Sequence, residues 1–169
     1  FSESLDIRVR TGNIDIASGR TLQARHVKLS ADDQSSGQIN VAGAIEGSEG
    51  GSVELYAMND LNIQSGGRVS AVALSAGSAG GDILLSSARG WINADGAVDL
   101  SGGAAGDTGG ALYLRALRNG NDVKINLNGA IAGAAAVYAE AVKTYNFKNS
   151  PSRSTWTSEA TTYYNANTA

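Results

Sequence analysis

Aliphatic residues return at every second position along most of this chain, in bursts of two or three. They run Leu5, Ile7, Val9; Ile14, Ile16; Val27, Leu29; Ile39, Val41; Val53, Leu55; and Leu61, Ile63. The series continues with Val72, Leu74; Ile83, Leu85; Val98, Leu100; Leu112, Leu114; and Val123, Ile125, Leu127. A period of two over three to five residues predicts short strands with one buried face. Each burst stops at Gly, Asn, Asp or Ser, residues that turn a chain at low conformational cost.

The bursts repeat on a longer period. Gly50-Gly51, Gly80-Gly81 and Gly109-Gly110 each open a similar phrase, and their spacings are 30 and 29 residues. Self-similarity at such a period marks a solenoid or a repeat array. Aligning the phrases gives about six coils, starting near residues 5, 27, 51, 81, 110 and 135. Val53 and Leu55 align with Ile83 and Leu85, then with Leu112 and Leu114. Ala111–Leu117 aligns with Ala136–Val142, Leu61 aligns with Ile92, and extra residues enter around Asn119–Asn121.

A strand of one coil buries its apolar face by stacking on the equivalent strand of the next, about 4.8 Å away. The rest of each coil supplies the crossover that parallel strands need, and such crossovers are right-handed by rule. The expected fold is therefore all-β, a right-handed parallel β-helix (a solenoid) of about six coils. A β-sandwich does not require a fixed long period, and a leucine-rich repeat would show Leu at fixed offsets with an Asn ladder. Calcium-binding nonapeptide repeats need tandem glycine-aspartate units, and Gly80-Gly81-Asp82 stands alone.

Composition narrows the function. The net charge is −3, and the basic residues are scattered, so no basic field invites nucleic acid. There is no Cys, which removes thiol catalysis, disulfides and thiolate metal sites. No apolar run approaches the roughly 20 residues of a transmembrane segment. Phe1-Ser2-Glu3-Ser4 is unlike a signal peptide, and the chain is expected to be a piece of something longer. No motif calls for a cofactor. The pattern fades after Phe147, where Pro151, Ser, Thr, Trp156, Tyr163 and Tyr164 collect. The expected division is residues 1–147 as coils and 148–169 as a C-terminal cap or linker.

Phrases such as Gly81-Asp82-Ile83-Leu84-Leu85, Asn59-Asp60-Leu61-Asn62-Ile63-Gln64-Ser65-Gly66-Gly67 and Gly96-Ala97-Val98-Asp99-Leu100-Ser101-Gly102-Gly103 resemble the filamentous-haemagglutinin family. These are large bacterial exoproteins of two-partner secretion, and the resemblance covers about residues 5 to 147. It implies a shaft segment of an adhesin, internal or C-terminal, secreted or held at the bacterial surface. It also implies an outer-membrane secretion partner for the parent protein, and a host-cell or biofilm glycan or surface receptor as binding partner. It assigns no site residues.

Candidate chemistry is sparse. His26 is the only histidine and has no Gly-x-Ser-x-Gly elbow to serve, and Met58 is expected near a coil corner. Asp32, Asp33, Asp60, Asp95, Asp99, Asp107 and Asp122 are the carboxylates that a carbohydrate-active β-helix enzyme would use. Most fall at turn positions, where Asp caps its own backbone, so a non-enzymatic role is expected. Arg89 and Arg118 align on adjacent coils and form a candidate row for a sugar or an anion. Tyr113 and Tyr138 align on the outward face, as a stabilising stack or a glycan platform. Tyr56 and Trp91 are further aromatics in or near strands. Asn59, Asn62, Asn93, Asn119, Asn121, Asn126 and Asn128 are expected to form ladders within turns.

Overall fold

The computed structural model describes residues 3–144 and 153–167. The chain begins with β1 (Ser4–Val9), β2 (Ile14–Ile16), β3 (Thr21–Ala31), β4 (Ile39–Val41) and β5 (Ala44–Ala57). It continues through β6 (Leu61–Ile63), β7 (Arg68–Ser70), β8 (Ile83–Ser87), β9 (Ile92–Ala94) and β10 (Ala97–Asp99). It ends with β11 (Ala111–Asn119), β12 (Asp122–Val123), β13 (Ile125–Leu127), β14 (Ile131–Ala132), β15 (Ala136–Val142) and helix α1 (Arg153–Asn167).

These strands stack as a parallel β-helix with three faces. The first face joins β1, the second half of β3, the second half of β5, β8, β11 and β15. The second face joins β2, β4, β6, β9 and β13. The third joins the first halves of β3 and β5 with β7, β10 and β14. Leu5, Val27, Val53, Ile83, Leu112 and Val137 share one column, so successive turns span 22, 26, 30, 29 and 25 residues. Five turns are completed, and β15 is the strand that would have opened the sixth expected coil.

Inward columns make the core. Leu29, Leu55 and Leu85 stack in register at 0 % exposure, as do Ile39, Leu61 and Ile92 on the second face. Val137 occupies the register of the buried Leu112, yet it is 50 % exposed because no further coil among the described residues covers it. Val72 and Leu74 depart from the expectation. They lie in an irregular connection rather than a strand, and Leu74 is 69 % exposed.

The glycine pairs have a steric origin. A Cβ on Gly81 would lie 1.6 Å from the Gly51 carbonyl oxygen, and one on Gly110 would lie 1.9 Å from that of Gly81. Gly67, Gly96 and Gly129 form a second such column at another corner, with Cβ–oxygen distances of 2.2, 2.3 and 1.8 Å. At these corners the backbones of neighbouring coils approach too closely for any side chain.

A ladder of amides runs along the second face. Asn40 donates to Asp15 at 2.8 Å, Asn62 to Asn40 at 2.8 Å, Asn93 to Asn62 at 2.9 Å and Asn126 to Asn93 at 2.8 Å. These residues are the central positions of three-residue strands, so the ladder sits in the sheet and not in turns as expected. Each interior Asn both donates and accepts, and removing one orphans two neighbours. Asn62→Ala is expected to cost about 1–3 kcal/mol, and Asn126→Ala at the ladder's end under about 1 kcal/mol. Urea unfolding of the two variants checks this, and equal losses would mean that the ladder contributes nothing as a chain.

The boundary expected at 147/148 and Pro151 lie outside the described residues. Beyond them α1 is tied to the last turns: Glu159 pairs with Lys143, and its carbonyl accepts from Arg118 at 3.5 Å.

Candidate functional site

Outward positions of the first face carry the expected aromatic pair. Tyr113 and Tyr138 are direct register partners on β11 and β15. Their rings stack with centroids 5.2 Å apart and planes 15° from parallel. They are 39 % and 56 % exposed. The stack spends ring faces on each other, because the ring planes lie across the rod axis. Tyr113 offers its edge to solvent, and the face of Tyr138 turned away from Tyr113 is the one left for a sugar ring. Beside them Arg115 pairs with Glu140 at 3.4 Å.

Arg89 and Arg118 do not converge on a common point. The Arg89 guanidinium donates to the Gln34 carbonyl, two turns towards the N-terminus, at 3.5 Å. The Arg118 guanidinium donates to α1 in the opposite direction. Each is committed to a backbone carbonyl, which leaves no shared anion cradle between them. Asp60 accepts from the Trp91 amide at 2.8 Å.

The remaining carboxylates are engaged in the same way. Asp107 accepts from the amides of Gly77 at 2.8 Å and Ala104 at 2.7 Å, so it links two coils. Asp82 links to the next coil through the Ala111 amide at 2.8 Å. Asp99 accepts from Ser101 nitrogen and hydroxyl, Asp122 from the Val123 amide, and Asp95 from Asn128. Asp32 pairs with Arg8. Among the described residues no buried side-chain polar atom lacks a partner, and no group of His, Asp or Glu is arranged to hold a metal.

Asp33 shows how such a turn is fixed. It accepts from the amides of Gly12 and Ser35 at 2.8 and 2.9 Å, and from the hydroxyls of Ser35 and Ser36 at 2.7 and 2.9 Å. The Gly12 and Ser35 amides lead in holding its carboxyl well below the usual carboxylate range. A depressed folded value makes the stabilisation complete above the unfolded carboxyl range, about pH 4, and lost as the pH falls below it. Asp33→Asn is expected to lower the melting temperature at pH 7, and that deficit should shrink below about pH 4. Melting curves across pH check this, and a deficit that stays constant with pH would refute it.

Tyr56 is fixed as well. Its hydroxyl donates to Glu54 at 2.8 Å, and Lys28 lies over its ring at 5.5 Å. Burial, then the Glu54 bond, push its hydroxyl above the usual tyrosine range. Lys124 lies over the Trp91 ring at 6.0 Å. His26 is exposed at the corner where β3 passes from the third face to the first, with Nδ1 3.0 Å from the Ser52 hydroxyl. Met58 follows β5 directly at a corner, as expected. The outer faces thus show side chains bound within their own coil or to a neighbouring one, with shallow concave places on more than one face.

No family model matches this chain, and neither a curated protein nor a solved structure does. No helix among the described residues is long and apolar enough to cross a membrane.

Proposed function

We propose that this chain is a stiff, non-enzymatic spacer, a shaft segment of a large bacterial adhesin that is secreted or displayed at the cell surface. The observation that carries the reading is the unbroken side-chain ladder from Asp15 to Asn126, which ties all five turns along one face. A rod whose coils are cross-linked by inward columns, amides and turn carboxylates resists bending and holds its ends at a set distance. Coils of this kind contact only their neighbours, so length is added without changing the local packing. The resemblance to filamentous haemagglutinins supports the adhesin context.

The competing reading, a carbohydrate-active β-helix enzyme, needs carboxylates free to meet a substrate. The candidate carboxylates instead accept from backbone amides or pair with neighbouring side chains. That commitment favours the spacer.

Antibodies against the purified chain test the location on cells that encode it. Labelling of intact cells is expected, and labelling that needs lysis would contradict display. Turnover of a polysaccharide panel by the purified chain would overturn the non-enzymatic part of the reading.

A further inference from the structure

Asparagine is followed by glycine at two places in the chain, Asn119-Gly120 and Asn128-Gly129. This dipeptide carries a chemistry of its own. The carboxamide carbon of Asn lies within reach of the next backbone nitrogen, and a glycine there has no Cβ to hinder the approach. The attack needs a free backbone amide, a carboxamide free to turn, and room for the backbone to move.

The fold treats the two places differently. At Asn128 both reacting groups are occupied. Its carboxamide donates to Asp95 at 2.8 Å, and the Gly129 amide donates to the Ala94 carbonyl at 2.8 Å. Gly129 also belongs to a close corner column, where a Cβ would lie 1.8 Å from the Gly96 carbonyl oxygen, so its backbone is held against the neighbouring coil. Asn119 instead ends β11, and Gly120-Asn121 turns the chain into β12, with Asn119 opposite Asp122 in the antiparallel pair. Asn119, Gly120 and Asn121 are all exposed. Among the described residues neither the Asn119 carboxamide nor the Gly120 amide makes a hydrogen bond. Gly120 holds φ at 64°, with nothing within 4 Å of an added Cβ.

We propose that Asn119 is a site of spontaneous covalent modification, which deamidates through a cyclic imide while Asn128 stays intact. The Gly120 nitrogen attacks Cγ of Asn119, so that an N–Cγ bond forms and the Cγ–Nδ2 bond breaks. Ammonia leaves with the proton that the Gly120 nitrogen gives up. Water then opens the ring at either carbonyl and leaves aspartate or isoaspartate in place of Asn119. Water is the only co-reactant, and nothing is oxidised or reduced. Opening an exposed turn costs almost nothing, whereas freeing Gly129 means breaking bonds that join coils. Either product sets a carboxylate opposite Asp122, and like charges opposed across an antiparallel pair are destabilising. Isoaspartate also adds a methylene to the backbone of a two-residue turn. The inference goes beyond the spacer reading and fails or stands separately from it.

The test is incubation of the folded whole chain at mildly alkaline pH and physiological temperature, followed by peptide mapping with mass spectrometry and enzymatic methylation of isoaspartate. Chain denatured in urea is incubated in parallel. In the folded chain Asn119 is expected to convert about tenfold or more faster than Asn128. In urea the two rates are expected to converge, because the shared dipeptide then decides them. Asn119→Gln is expected to remove the isoaspartate signal of the folded chain. Equal rates in the folded chain would overturn the proposal, as would an Asn119 that survives in the folded chain and converts only in urea. A difference that persists unchanged in urea would overturn it too, since neighbouring sequence and not the turn would then be its cause.

Discussion

Gly81→Ala is expected to destabilise the chain by more than about 4 kcal/mol, the exceptional range for a single substitution. The added methyl would lie 1.6 Å from the Gly51 carbonyl oxygen. Both partners are backbone, and both lie inside the stack, so no side chain can swing aside. Relief requires the third and fourth turns to separate. That separation would break the register of β5 with β8, where Val53–Ala57 pairs with Ile83–Ser87. Gly19→Asn is the matched control. Gly19 has φ at 73° with nothing within 4 Å of an added Cβ, and Asn tolerates that backbone. The control is expected to cost under about 1 kcal/mol. Urea unfolding followed by circular dichroism reads both, and a small loss at Gly81 would show that adjacent turns are not in close backbone contact.

Leu85→Ala is expected to cost about 2–5 kcal/mol. Leu85 is fully buried between Leu55 and Leu114, with Ile83 beside it in the same strand. The neighbouring strands are held by ladder bonds on both sides, so the cavity cannot collapse. Val137→Ala, in the last strand and half exposed, removes fewer contacts and is expected to cost under about 1 kcal/mol. Denaturation midpoints of the two variants test the gradient from the middle of the rod to its end. Equal losses would contradict it.

Much of this fold was legible in the chain. The alternation of Val53 and Leu55, then of Ile83 and Leu85, fixed the first face, because two aliphatics at period two point to the same side. The aligned stretches Ala111–Leu117 and Ala136–Val142 are register partners in the structure, as are Leu61 and Ile92. The extra residues around Asn119–Asn121 form the tight turn between β11 and the antiparallel β12. The third face was legible only at β10, where Val98 alternates with Leu100. Its other strands each offer one aliphatic to the column Leu22, Ile45, Val69, Val98 and Ile131, and a single residue carries no period. Its irregular corner also hid the spacing, since three to twelve residues separate it from the first face.

The candidate sites were legible in part. Tyr113 and Tyr138 stack as their alignment implies. Arg89 and Arg118 align in sequence, yet their long side chains reach backbone carbonyls in opposite directions, which spacing cannot report. The amide ladder was half visible in Asn62, Asn93 and Asn126. Asp15 and Asn40 complete it, and their signal was the central place each holds between two aliphatics, Ile14 and Ile16 or Ile39 and Val41.

Stiffness is the property on which the account turns, and the absence of cysteine allows it to be measured directly. Arg8 and Glu140 stand at the two ends of one outward column, five strand spacings apart. Spin labels on Arg8→Cys and Glu140→Cys report the distance between them by pulsed electron resonance. A single narrow distribution, centred near the backbone separation of about 24 Å once label length is included, is the predicted result. A broad or multi-peaked distribution from the folded chain would contradict the spacer.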